Sequence, residues 1–216
     1  MTEYVIDQRF QSRVERSPRV LECAEAFGLG LNDTEFIVYD NVSLDVQKGD
    51  VVYITGQSGS GKSLLLRELH RQMSEKEPVA DIESVELKDL PLIEQIGDTT
   101  TQAIEILSMA GLNDAYLFIR KPSELSDGQL YRFKVAKLAA GDCRVWVADE
   151  FGAVLDRTTA KLVAFNLQKF ARRCGATLIV ATTHKDLMEE LGPNLYIDKR
   201  FKAKLLIENF NKEKAA

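Results

Sequence analysis

With 216 residues, 45% of them hydrophobic and 28% charged, the chain is long enough to bury a substantial core and has the composition of an ordinary globular protein rather than a disordered one. A formal net charge of -5 gives no overall pull toward nucleic acid or an anionic membrane. Cys23, Cys143 and Cys174 are widely spaced with no C-x-x-C pair, which argues against a disulfide framework or a zinc site and points to a reducing, cytoplasmic compartment. The first residues lack a signal-peptide apolar core, and no apolar window is long enough to span a bilayer, so direct membrane insertion is not expected.

Residues 1–20 are polar and alternating, and read as an extended arm or edge segment. From Arg19 to Phe27 and from Glu35 to Val46 apolar and polar residues alternate as in half-buried strands, separated by Gly28-Leu29-Gly30 and Asn32-Asp33; these read as an antiparallel β region ahead of the core. Gln47-Lys48-Gly49-Asp50 is a turn into the apolar strand Val51–Thr55, and the helix after Gly61 is expected to run to about Met73. Another strand is predicted over Ile82–Leu87. Apolar spacings of three and four predict helices over 99–110 and 129–139, stopped by Gly111 and Gly141, so that about 88–140 reads as a small helical subdomain. From Arg144 the pattern becomes buried strand alternating with helix: Val145–Ala148, a helix over roughly 158–173, then Thr177–Ala181. That alternation implies a mainly parallel sheet with flanking helices and ligands at the carboxyl ends of its strands. Residues 194–210 are expected to add short strands and 211–216 a frayed tail.

The stretch Gly56-Gln57-Ser58-Gly59-Ser60-Gly61-Lys62-Ser63 matches G-x-x-x-x-G-K-[ST] between a strand and a helix. Glycines at 56, 59 and 61 permit backbone conformations that let successive N–H groups wrap a chain of phosphates. Lys62 then reaches the outer phosphates, the Ser63 hydroxyl suits a magnesium ion, and the following helix presents its positive end.

Further along, Leu125-Ser126-Asp127-Gly128-Gln129 ends a loop and opens a helix, either as a plain serine cap or as an anion-facing one. The apolar strand Val145-Trp146-Val147-Ala148 ends in Asp149-Glu150, where Asp149 suits the magnesium shell and Glu150 suits orienting a water. Gly152-Ala153-Val154-Leu155-Asp156 follows. His184 stands just past the strand Thr177–Thr182, where a terminal phosphate would lie, whereas His70 falls within the helix after the glycine loop and reads as packing or surface.

In this order the elements resemble the ATP-binding-cassette (ABC) family of ATPases over about Phe27–Leu191. In that family's terms Gly56–Ser63 is similar to the Walker A loop, Leu125–Gln129 to the signature motif, Val145–Glu150 to the Walker B strand, Ala153–Asp156 to the D-loop and His184 to the switch histidine. The resemblance implies one ABC-type ATPase domain over 1–216, with ATP and Mg2+ bound between the Walker A loop of one chain and the signature motif of another. The partner is an identical chain or a second ABC half. Ser126, Gly128 and Gln129 would then contact the partner's nucleotide, Lys62 would neutralise phosphate, Glu150 would polarise the attacking water and His184 would contact the γ-phosphate. Phe27 is the candidate for stacking on adenine, with core packing as its alternative.

Departures from the family pattern are Asp127 where a second glycine is usual, Phe151 where a proline is usual, and a Q-loop for which Gln95 and Gln102 are both candidates. Two branches follow: a transporter's cytosolic ATP-binding subunit with a membrane-protein partner near 88–125, or a soluble ABC ATPase. An ATP-binding switch with little turnover and a phosphate-loop kinase of small molecules are the alternatives, the kinase giving no role to Leu125–Gln129 or His184.

Overall fold

The computed structural model describes residues 2–32, 34–200 and 205–210. It falls into two compact units, Glu3–Leu44 and a larger one from Asp45 onward.

In the smaller unit, β1 (Thr2–Ser12) and β2 (Thr34–Val46) form a two-stranded antiparallel sheet and α1 (Pro18–Phe27) lies between them in sequence. Arg9 Nη2 donates to Asp40 Oδ1 across the pair at 2.5 Å. The strand expected over Arg19–Phe27 is therefore a helix. Its ends decide this: Ser17 accepts from the Val20 N–H, Pro18 occupies the first turn, and Gly28 closes the helix at a φ of 63°. With only Ala24 of this helix buried, its short apolar stripe resembles alternation.

In the larger unit the turn at Gln47–Asp50 is closed by Asp50 N–H donating to Gln47 O at 3.1 Å, and the Asp50 carboxylate accepts from Gln47 N–H at 2.8 Å. After it come β3 (Val51–Gly56), α2 (Lys62–Ser74), β4 (Val79–Asp81), α3 (Thr100–Met109), α4 (Ala115–Phe118), α5 (Asp127–Ala140), β5 (Val145–Ala148), α6 (Arg157–Arg173), β6 (Thr177–Thr182), α7 (Met188–Leu191), β7 (Leu195–Lys199) and β8 (Leu206–Asn209). The expected strand over Ile82–Leu87 does not form. Asp81 accepts from Glu83 N–H at 2.8 Å and Ser84 Oγ donates to Asp81 O at 2.9 Å, so the chain coils into a 3-10 turn over Ile82–Ser84 as soon as β4 ends. The tail expected over 211–216 lies outside the described residues.

The sheet runs β4-β5-β6-β3-β7-β8, parallel throughout except for β8, which pairs antiparallel with β7. Strands β3, β5, β6 and β7 are buried along their whole length, which is why β3, β5 and β6 read as largely apolar runs. Helices α3 to α6 fill the same apolar cluster as the sheet: Leu107, Phe118, Phe133 and Leu167 join Trp146, Leu178 and Val180. Trp146 is fully buried, donates its Nε1–H to Cys143 O at 2.9 Å and meets Phe170 edge to face at 6.2 Å.

Asp198 of β7 is a buried charge beside β3. The Asp198 side chain is 3% exposed and accepts from Lys185 Nζ at 2.8 Å to each oxygen, from Arg200 Nε at 3.0 Å and from Thr55 Oγ1 at 3.3 Å. Burial opposes its ionisation, but the hydrogen bonds from Lys185 and Arg200 outweigh it and hold the carboxyl below its ordinary value. A depressed carboxyl stabilises the fold above its unfolded value and loses that contribution as pH falls through the folded one. The urea midpoints of wild type and Asp198→Asn are expected to differ by a constant amount between about pH 7 and 5 and to converge below roughly pH 3. A difference that does not change with pH would show that the carboxylate charge is not what stabilises this site.

Candidate functional site

Parallel pairing brings three loops to one edge. In register, Thr55 lies beside Thr182 and Ala148 beside Val180, so the chain leaves β3 at Gly56, β5 at Asp149 and β6 at Thr183 on the same side of the sheet.

The glycine stretch is shaped by two close approaches. At Gly56, with φ at +152°, a Cβ would lie 2.0 Å from Lys199 O and 2.9 Å from Ser60 Oγ. Gly59 and Gly61, at φ of +73° and +105°, turn the chain back into α2. The resulting cavity of about 460 Å³ is lined by Ser58, Gly59, Lys62, Ser63, Glu150 and Thr182, among others. Lys62 folds back over the loop, its Nζ donating to Gly56 O at 2.8 Å and Gln57 O at 2.9 Å. Burial lowers the Lys62 ammonium from its ordinary value, and the nearby charges of Asp149 and Glu150 oppose that shift. Ser60 Oγ is buried with no hydrogen-bond partner among the described residues.

Across the cavity, Ser63 Oγ donates to Asp149 Oδ1 at 3.2 Å. A hydroxyl and a carboxylate meeting at the mouth of a phosphate loop form the hard oxygen pair that magnesium takes. Among the described residues no group of three or more His, Cys, Asp or Glu side chains forms a closed metal cage.

Glu150 adopts φ +49°, a left-handed conformation that costs a residue with a side chain about 1–2 kcal/mol. Neighbouring hydrogen bonds hold it there. Its N–H donates to Asp149 Oδ1 at 2.9 Å, its carbonyl accepts from Ala153 N–H at 3.0 Å, and the next N–H, of Phe151, donates to Ala181 O at 2.9 Å. Phe151, in place of a proline, is fully buried and stacks edge to face on Tyr131 of α5 at 5.6 Å. Glu150 also borders a second cavity of about 460 Å³, shared with Asp127, Tyr131, Lys134 and Glu83, in which Lys134 pairs with Glu83 at 2.7 Å. Neither Lys134 nor Glu83 carries a sequence signal, because their separation of 51 positions is closed only by the fold.

Leu125–Gln129 is placed apart from the glycine-loop cavity. Ser126 caps α5: its Oγ accepts from Gln129 N–H at 3.4 Å and the Gln129 side-chain Oε1 accepts from Ser126 N–H at 3.0 Å. Ser126 and Asp127 are exposed, and a Cβ on Gly128 would press within 3.2 Å of Thr159 Cγ2. Asp156 caps α6 by accepting from Thr159 N–H at 3.0 Å and Thr159 Oγ1 at 2.5 Å, which holds its carboxyl below the ordinary value. His184 is half-buried, its N–H donates to Thr182 Oγ1 at 3.2 Å, and its ring lies 3.8 Å from where a Cβ on Gly152 would stand. Thr182 and Thr183 line the glycine-loop cavity and carry no motif of their own; adjacency to His184 was the one available signal.

Phe27, in the smaller unit, is 76% exposed, so packing in the core does not describe it. Gln95 is spent on its own loop, donating to Lys88 O at 2.9 Å and Leu90 O at 2.7 Å. Gln102 accepts from Asp98 N–H at 3.0 Å.

The ABC transporter family model matches residues 39–100. The methionine import ATP-binding protein MetN 1 of Oceanobacillus iheyensis is 28% identical over 70% of this chain and 55% of its own length; MetN of Clostridium tetani is 30% identical over 71% and 59%. The chain thus spans a little over half the length of the curated relatives it matches. In fold it is similar to the dimeric post-hydrolysis state of the ATP-binding cassette MJ0796 bound to ADP and Pi, with TM-score 0.63 and 18% identity over 97% of this chain and 99% of that one. The cbiO1 cassette of Clostridium perfringens gives TM-score 0.62 and 18% identity over 83% and 84%.

Gly56→Ala is expected to lower stability by about 3 kcal/mol or more, because backbone rather than a flexible side chain occupies the space. Gly59→Ala, with nothing within 4 Å of its Cβ, should cost only about 1 kcal/mol for the left-handed φ. Urea unfolding of the two variants checks the order; equal losses would mean that the Lys199 carbonyl yields.

Proposed function

As the chain carries an ATPase domain of the ATP-binding-cassette family, we propose that it binds Mg-ATP in the glycine-loop cavity and hydrolyses it at a head-to-tail dimer interface, driving a conformational change as the ATP-binding subunit of an import transporter. The observation that carries this reading is the rim of that cavity. Lys62, Ser63 and Glu150 meet there, with Asp149 bonded to Ser63, while the exposed Ser126 lies outside it and is free to meet a nucleotide held by another chain.

The glycine-loop N–H groups and the N-terminus of α2 hold the phosphates, and Gln57, Ser58, Gly59, Ser60 and Gly61 shape that cradle. Lys62 leaves the carbonyls of Gly56 and Gln57 and turns to the outer phosphates. Ser63 and Asp149 would hold magnesium, whose charge, when bound, stabilises the phosphate oxygens as the terminal bond breaks. Glu150 orients a water and takes its proton as the water oxygen attacks the γ-phosphorus. The bond to the bridging oxygen breaks, its electron pair leaves with ADP, and the proton passes on to phosphate. His184 faces the charge that develops on the γ-phosphate. From the other chain, Ser126, Gly128 and Gln129 close the site at the positive end of α5.

We read 1–216 as one such domain, with about 88–140 as its helical subdomain and the surface near 88–125 meeting a membrane protein on the cytoplasmic side. Among the described residues no helix is long and apolar enough to cross a membrane. A second reading, an ATP-binding switch with little turnover, is favoured by the local use of both Gln95 and Gln102 and by Asp127 in the signature position.

Glu150→Gln is expected to lower ATP turnover by about 100-fold or more while Mg-ATP shifts this variant from monomer to dimer in size exclusion. Adding Ser126→Arg should block the shift. Tight ATP binding by a wild type that does not turn over would instead support the switch.

A further inference from the structure

The loop that carries His184 is tied to the strand that carries the glycine loop through a single buried hydroxyl. Tyr53, on β3 three residues before Gly56, is fully buried and its Oη donates to His184 O. The Leu187 N–H bonds the same oxygen, so one phenol bridges both ends of the turn between β6 and α7. The ring leans on Tyr196 of β7 at 5.5 Å, which fixes its direction. Burial pushes the Tyr53 phenol well above its ordinary value, so it stays a donor wherever the chain is folded. The other side of the turn is held by α6: Arg157 pairs with Asp186, and Lys161 with Glu190 at 3.0 Å. Arg157 directly follows Asp156, so this clamp reaches from the end of the loop after Glu150 to the turn that presents His184.

We infer that Tyr53 is a positioning residue for His184, fixing the turn that carries its imidazole beside Gly152 from the same strand that leads into the glycine loop. This rests on the reading of His184 given above. The physical argument is one of reference frame. His184 leaves a strand end through Thr183, an exposed residue, and its own N–H donates to Thr182 Oγ1. Without the Tyr53 hydroxyl its carbonyl loses the bond to β3, the backbone regains freedom, and the ring loses its fixed distance from a phosphate bound by residues 56–63. Tyr53 itself lines neither cavity at Glu150, so its effect on hydrolysis would run through His184.

Tyr53→Phe keeps the ring and its packing and removes only the hydroxyl. The full chain carrying it is expected to show a kcat about 10-fold lower with the ATP KM within about twofold of wild type. In a His184→Ala background the same change should lower kcat by less than about twofold, since a residue that acts through His184 has nothing left to position. An unchanged kcat in Tyr53→Phe, a loss that falls on KM, or a further 10-fold fall in the His184→Ala background would each overturn the inference. If His184→Ala alone keeps wild-type kcat, the role given to His184 fails first, and the inference fails with it.

Discussion

The placement of β3 between β6 and β7, parallel to both, is the constraint on which the site depends. It makes the ends of three strands coincide, and it forces Gly56 against the carbonyl of Lys199 so closely that no side chain fits. Every later contact follows from that packing. Ser63 reaches Asp149 because β5 ends one strand beyond β6, and the turn after β6 reaches Tyr53 because β6 is the neighbour of β3. A sheet in another order would keep the motifs and scatter them.

Around this edge the molecule concentrates strain and buried charge. Glu150 sits in a left-handed conformation that only its hydrogen-bonded neighbours maintain, and Lys62 is buried against carbonyls in place of anions. Ser60 Oγ is unpartnered. Such groups are costly in a fold and suit a polyanion, which is the chemistry that the proposed reading asks of this cavity. Asp198, by contrast, is a buried charge whose partners are all present in the chain, and it reads as part of the scaffold.

The separation of Leu125–Gln129 from the glycine-loop cavity gives the dimer reading its chemical sense. Ser126 and Gln129 complete a capping box and so already have partners, but the exposed end of α5 still presents its positive dipole to solvent. Phe151 anchors that helix through Tyr131 to the turn bearing Glu150, so that movement of α5 would be felt at Glu150.

The sequence alone determined what local chemistry can determine. Glycines at 56, 59 and 61 followed by Lys62 and Ser63 mark a glycine loop between strand and helix, unbroken apolar runs mark fully buried parallel strands, and two carboxylates just past a strand end mark the edge where the loops gather. It misread Arg19–Phe27 and Ile82–Leu87, where a serine cap and an aspartate turn outweighed alternation. Tertiary structure alone decided how those pieces meet. The order of the strands, the Lys199 carbonyl under Gly56, the pairing of Lys134 with Glu83 and the reach of Tyr53 to His184 all join residues far apart in the chain. The reason is physical: a motif records which backbone and side-chain groups are needed, whereas distances between motifs are set by packing that no single segment contains.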